Sequence, residues 1–367
     1  MTTKSSASES QVEKAARRRP LFSRPKFGLA FVGTSIALFI ILGLTAIPLW
    51  IGGTFLGIMV LVWQAVPGCV ALNVLQGLGG QVSIGNAAFM GIGAMTAGVL
   101  TTEMKLPFLV CCVLGGLSAG VIGAVVGLPA LRIRGLQLVV GTLAFQYVAS
   151  YAMESLQDKL VGAEGFLIPI AKIGNLTIYS NQSWYLLLAI FGLIVLFAMR
   201  NLRRSRTGRA LLAVRTNELM AGTMGVPVSR TIFFTFAGCS ALIGVQGVLY
   251  AYYLGVSSYD QFTLTLALSY VIMIIIGGEG SPLGSFLGAF FVIGFPFVVT
   301  WLVGVIPGLA NLIGVNTFDI QEIFFGIVIV LFLIFEPAGL NGLFVRLVAL
   351  AKSRLTFRTA PSETVGQ

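Results

Sequence analysis

Arg200-Asn-Leu-Arg-Arg-Ser-Arg-Thr-Gly-Arg-Ala-Leu-Leu-Ala-Val-Arg215-Thr-Asn-Glu-Leu-Met-Ala-Gly-Thr-Met-Gly225 interrupts an otherwise lipid-soluble chain. Long apolar runs stand on both sides of it. Its first arginines, among them Arg203, Arg204, Arg206 and Arg209, suit membrane orientation and contact with anionic lipid headgroups. From Gly208 to Met224 the apolar residues Leu211, Leu212, Val214, Leu219, Met220 and Met224 recur at a rough helical spacing. Gly225 ends that helix, and Pro227 blocks its continuation. One helix lying on a membrane face is therefore expected, of a kind that fills a groove in a partner.

The rest of the composition explains why that stretch stands out. Of 367 residues, 57% are hydrophobic and only 10% charged, against roughly 25% charged in a soluble domain. The mean hydropathy is +0.95, and the chain reads as membrane-embedded. Its net charge of +10 gathers in tails and short loops, as in a protein that fixes its orientation by positive loops. There is no extended basic domain, so no nucleic-acid partner is expected. Cys69, Cys111, Cys112 and Cys239 lie in apolar segments, where cysteine behaves as a small hydrophobe. The chain has no histidine, and neither a disulfide nor a metal site is expected.

A spanning helix needs about 20 mostly apolar residues. That criterion predicts an all-α polytopic membrane protein of about ten spans, near 28–49, 54–75, 84–101, 108–130, 136–153, 184–200, 231–254, 263–277, 283–303 and 321–336. Residues 1–27 read as a disordered basic tail, 28–345 as the membrane domain with the basic connection at 201–229, and 346–367 as a second tail. The run from Gly28 to Trp50 is too long for a signal-peptide core of about 7–15 apolar residues and reads as an uncleaved span. With ten crossings, Arg17, Arg18 and Arg19 share a face with Arg132, Arg134, the basic connection, Arg346 and Lys352. Glu103, Glu154, Asp158, Glu164 and Asp260 fall on the other. Both termini are thus expected in the cytoplasm. The longest outer connection, 154–183, contains a Thr177-Ile-Tyr179 stretch that reads as a short strand or an interfacial helix.

Several chemistries are excluded. No phosphate-cradling G-x-x-x-x-G-K-[ST] loop occurs, and no catalytic set of nucleophile, base and orienting group appears, so the chain is not read as an enzyme. No span carries an acid near its middle, which argues against an ion-coupled carrier or a charged ion path. Uphill transport would draw its energy from another polypeptide, and no cofactor is expected on this chain. The segment 72–94 is dense in glycine and carries Gln81, Ser83 and Asn86. Such a segment either packs helices closely or breaks a helix to line a solute path. Thr142 and Gln146 share a helix face four residues apart, placed for a solute path or for bonds to a neighbouring helix. A second glycine cluster, Gly277-Gly278-Glu279-Gly280-Ser281, puts Glu279 in a connection, where it reads as a solvated acid.

Four runs together resemble a family. They are Leu72-Asn-x6-Gly80-Gln81-x-Ser83-x-Gly85-x-Ala87-x-Phe89; Leu131-Arg-x-Arg134-Gly135 with Thr142-Leu-Ala-Phe145; Ser205-Arg-x-Gly208-Arg-Ala with Arg215-x-Asn217-Glu218; and Gly277-Gly278-x-Gly280-Ser281-x3-Ser285. In order and over about residues 55–345, they resemble the longer (M-type) permease subunit of ATP-binding-cassette importers for branched-chain amino acids. The resemblance implies a prokaryotic inner-membrane complex of two permeases and two ATPases that use the ATP, fed by an external solute-binding protein. It implies that Arg215, Asn217, Glu218, Ala221 and Gly225 belong to the ATPase-coupling segment. The family's Glu-Ala-Ala-x3-Gly signature stands here as Leu219-Met220-Ala221-x3-Gly225, with Glu218 one place early. The Gly162-Ala-Glu-Gly165 region also departs from the family pattern, and relatives import urea and short amides. A urea or amide importer is therefore the alternative, with an autonomous channel or secondary carrier outside the class.

Overall fold

The structure, a computed structural model, describes residues 53–131, 135–162, 164–174 and 176–305, with the isolated residues 326, 327, 330, 334, 339–343 and 346. The predicted tail 1–27, the span 28–49, Arg132, Arg134, most of the span 321–336 and the tail beyond Arg346 lie outside the described residues.

The chain runs through α1 (Thr54–Asn73), which a single π turn (Val74–Leu78) extends, then α2 (Asn86–Thr102), α3 (Phe108–Ala130) and α4 (Leu136–Leu160). There follow α5 (Asn181–Arg204), α6 (Arg206–Thr216), α7 (Glu218–Thr223), α8 (Val228–Leu254), α9 (Leu264–Gly277) and α10 (Pro282–Val305). Among the described residues six helical stretches are long and apolar enough to cross a membrane, so the count of ten is not reached there. Of the other four predicted spans, 28–49 and most of 321–336 lie outside the described residues, α2 has only 17 residues, and α10 counts only as a shorter apolar helix over Pro282–Val298. Apolar side chains face outward along α3, with Val113, Leu117, Val121 and Val125 each more than half exposed at four-residue steps. This outward apolar surface is that of a multi-pass membrane protein.

Glycines set how the helices meet. A Cβ on Gly93 of α2 would overlap the carbonyl of Gly244 on α8, and one on Gly247 would overlap that of Met90. Without side chains at those points the two backbones touch, the usual way helices associate where lipid supplies no hydrophobic drive. α1 is mostly enclosed, and Gln64 on it exchanges bonds with α8: Gln64 Nε2 donates to the Gln246 carbonyl at 2.9 Å, and Gln246 Nε2 to the Gln64 carbonyl at 2.8 Å.

The connections gather at two ends. At one, β1 (Phe166–Leu167) pairs antiparallel with β4 (Val256–Ser257), and β2 (Ala171–Ile173) with β3 (Leu176–Ile178). The Thr177-Ile-Tyr179 stretch is thus partly strand. Next to β4, Gln157, well past the predicted end of its span, accepts from the Tyr259 amide at 2.9 Å. The helix α4 continues to Leu160, with Gln157 buried against this layer and Asp158 and Lys159 exposed. The opposite end carries α6, α7, the π turn and the connection 278–281.

Candidate functional site

The basic connection forms two helices where its apolar spacing predicts one. The break is at Asn217, which is extended at φ −159° and whose Oδ1 accepts from the Met220 amide at 3.1 Å. A helix whose first turn is capped by a side chain starts anew there, and Glu218 follows as an acid in that first turn, the favourable end for negative charge. At the far end of α7, Gly225 takes φ +82°. Its amide donates to Gly222 at 3.0 Å and the Val226 amide donates to Ala221 at 3.1 Å, the paired bonds of a left-handed glycine stop. Ala221 turns inward and packs with Val214 and Ile232, against Leu131, Val226 and Val228. Leu219, Met220 and Met224 turn outward, 76%, 66% and 84% exposed. A short capped helix therefore holds three bare apolar side chains away from the bundle.

Arg215, in the last turn of α6, reaches back to the end of α1. Its guanidinium donates to the Gly77 carbonyl and pairs with Glu279 at 2.7 Å. Glu279 is exposed, as its connection suggests, but it is also paired: its other oxygen accepts from Gln76 at 3.0 Å. One turn deeper, Asn73 is fully buried. Its Oδ1 accepts from the Gly280 amide at 2.7 Å, and its Nδ2 donates to the Ser281 carbonyl at 3.1 Å and to Ser285 Oγ at 2.8 Å. The spacing of these residues, about 200 positions apart in the chain, gives a reading of the sequence no local signal for the network.

The five residues predicted to line a path fall into two groups. Thr142 and Gln146 are buried on one face of α4, and their polar atoms serve the backbone of the segment before α2 and its first turn. Thr142 Oγ1 accepts from the Ile84 amide at 3.1 Å, Gln146 Oε1 accepts from the Ala88 amide at 2.7 Å, and Gln146 Nε2 donates to the Phe262 carbonyl at 3.0 Å. Ser83 is buried, with its hydroxyl accepting weakly from the Gly85 amide at 3.4 Å, whereas Gln81 is half-buried. Asn86 is buried, and its Oδ1 meets no donor. The two groups thus meet at the start of α2, where four orphan amides of a helix need partners.

Apolar grooves run down the outside of the bundle. The one between α1, α5 and α8 has a volume of about 660 Å³ and is lined by Val70, Ile194, Met199, Phe234 and Leu242, with Arg230 at its rim. The four cysteines are all free thiols, and among the described residues no cluster of His, Cys, Asp and Glu could hold a metal ion.

Against known proteins, the profile of the family described as "Branched-chain amino acid transport system / permease component" matches residues 56–333. The chain is 28% identical over 244 residues to the high-affinity branched-chain amino acid transport system permease protein LivM of Escherichia coli (strain K12), covering 60% of this chain and 57% of that one. It is 27% identical over 261 residues to the probable ABC transporter permease protein y4mJ of Sinorhizobium fredii, covering 68% and 70%. It is 29% identical over 182 residues to the fructose import permease protein FruG of Bifidobacterium longum, covering 46% and 54%. The match therefore spans little more than half the length of LivM. No solved structure matches the chain.

Proposed function

The chain belongs to the branched-chain amino acid transport permease family, and from that premise we propose that it is the membrane-spanning subunit of an ATP-driven importer. Its solute is a branched-chain or similar hydrophobic amino acid, delivered by an external solute-binding protein. A second permease subunit completes the path, and two ATPase subunits supply the energy. About ten spans in a prokaryotic inner membrane put both termini and the connection 201–229 in the cytoplasm, a topology that the arginine distribution supports.

One observation carries the partnered reading. Leu219, Met220 and Met224 stand exposed on a capped, six-residue helix at the bundle end rich in polar connections. Apolar side chains held out on a rigid support favour insertion into a complementary groove. Reconstitution in proteoliposomes tests it. Leucine uptake should require ATP, the ATPase subunits and the binding protein, and the permease alone should hydrolyse no ATP. Uptake of urea but not leucine would move the solute to the amide class. Uptake driven by an ion gradient without ATP would replace the subunit reading with a carrier.

A further inference from the structure

We propose that Arg215 and Glu279 form a transmission joint that makes the π turn of α1 and the α9–α10 connection move with the ATPase-coupling helices; the proposal rests on the subunit reading given above. The end of α6, the π turn of α1 and the connection 278–281 converge on one guanidinium. Arg215 leaves the last turn of α6, two residues before the cap of α7. Its aliphatic stem passes over Gly80, where an added Cβ would stand 3.0 Å from Arg215 Cγ. One arm of the fork takes the Gly77 carbonyl and the other takes Glu279.

The residue types suit a joint better than a staple. The two side chains are 39% and 35% exposed, and a pair so wet contributes little to stability. Its value is geometric, because a planar guanidinium fixes two acceptors in one plane as no ammonium does. The acceptor on α1 is available because the last carbonyls of a helix have no partner within it. A π turn is a local rearrangement of the helix ladder, often found where a helix serves function. Behind the joint, Asn73 bonds the same two strands of chain through Gly280, Ser281 and Ser285. Displacement of α7 by a partner is thereby passed to α8 through Ala221 and Ile232, and to α1, α9 and α10 through Arg215.

The test uses the assembled importer in nanodiscs or proteoliposomes and reads solute transported per ATP hydrolysed. Glu279→Gln keeps one oxygen to accept from Gln76 and puts an amide nitrogen, which carries no charge and cannot accept, opposite Arg215. It should leave ATPase co-purification intact and lower the transport ratio about tenfold, the scale of a coupling free energy. Arg215→Gln, read only in complexes that carry the ATPase, should lower the transport ratio by a similar factor, Arg215→Lys should recover part of the loss, and the double variant should be no worse than either single, the mark of two residues acting through one contact. An unchanged ratio in both single variants of a working complex overturns the joint, as does a double variant whose losses multiply. Amide exchange on the purified permease adds a readout that needs no partner: residues 76–81 and 278–281 should exchange faster in Arg215→Gln, while α8 holds. Unchanged exchange there also overturns the joint. Wild-type permease that binds no ATPase overturns the subunit reading, and this proposal with it.

Discussion

Gly225 is the point at which α7 is most open to a clean perturbation. Its φ of +82° lies in the left-handed region, and an added Cβ would meet no heavy atom within 4 Å. Substitution therefore brings no clash, only backbone strain. A residue with a Cβ pays about 1–2 kcal/mol in that region, and a β-branched one more. Loss of 1–2 kcal/mol shifts an equilibrium by a factor of roughly 5–30. A helix of six residues has no stability of its own, so the strain is relieved by unwinding the stop and releasing Leu219, Met220 and Met224 from their fixed directions. Gly225→Ala should weaken binding of the ATPase subunits about five- to tenfold, Gly225→Val up to about thirtyfold, and Gly225→Asn least of all, because asparagine tolerates the left-handed region. Titration of ATPase onto permease in nanodiscs gives the order directly, with membrane abundance as the control for insertion. Asparagine is bulkier than alanine, so a loss that follows size and leaves Asn worse than Ala would refute the conformational argument. Wild-type affinity in all three would refute any role for the stop.

Other consequences follow from packing and polar satisfaction. Gly93→Ala should lower the thermal stability of the purified permease by about 1–3 kcal/mol, as overpacking does, because its methyl group overlaps the Gly244 carbonyl. Gly238→Ala, with open space around it, should be neutral in the same melt. Gln146→Leu leaves the Ala88 amide without an acceptor in a buried position and should cost about 1–3 kcal/mol; a melting temperature equal to wild type would mean water replaces that bond. In a background with the native cysteines replaced, a cysteine at 179 should react with an impermeant maleimide in intact cells and one at 207 should not. The reverse pattern would invert the topology.

Most helices were legible because a stretch that must dissolve in lipid has no choice of residue type. Phe108–Ala130 has the bounds that the apolar run predicts. The glycine stop at 225 was also legible, since a left-handed residue followed by Pro227 leaves a chemical signature. The break at Asn217 is written there too, as a capping residue followed by an acid, but the apolar spacing across 208–224 runs through it and conceals it. What the sequence hid is what depends on distant partners. Glu279 looks like any loop acid until Arg215, 64 positions away, is brought beside it. The π turn at 74–78 keeps the apolar character of α1 and so leaves no trace in a count of hydrophobic residues. Thr142 and Gln146 announced a shared face but not what that face touches.

That last contact bears on how a solute could pass. Thr142 lies six residues inside α4, about 9 Å along its axis at 1.5 Å per residue. The irregular stretch before α2 therefore enters the bundle instead of stopping at its end, and non-helical backbone at such depth needs partners from the protein. Thr142 supplies one at Ile84 and Gln146 supplies one at Ala88, so both residues are spent on holding the start of α2 in place. A solute that used either as a ligand would have to release a buried amide to do so. Asn86 differs, because its buried Oδ1 has no donor to lose. Of the residues predicted to line a path, Thr142 and Gln146 thus spend their polar atoms on the backbone around the start of α2, whereas the buried Oδ1 of Asn86 is without a donor and Gln81 is half-buried.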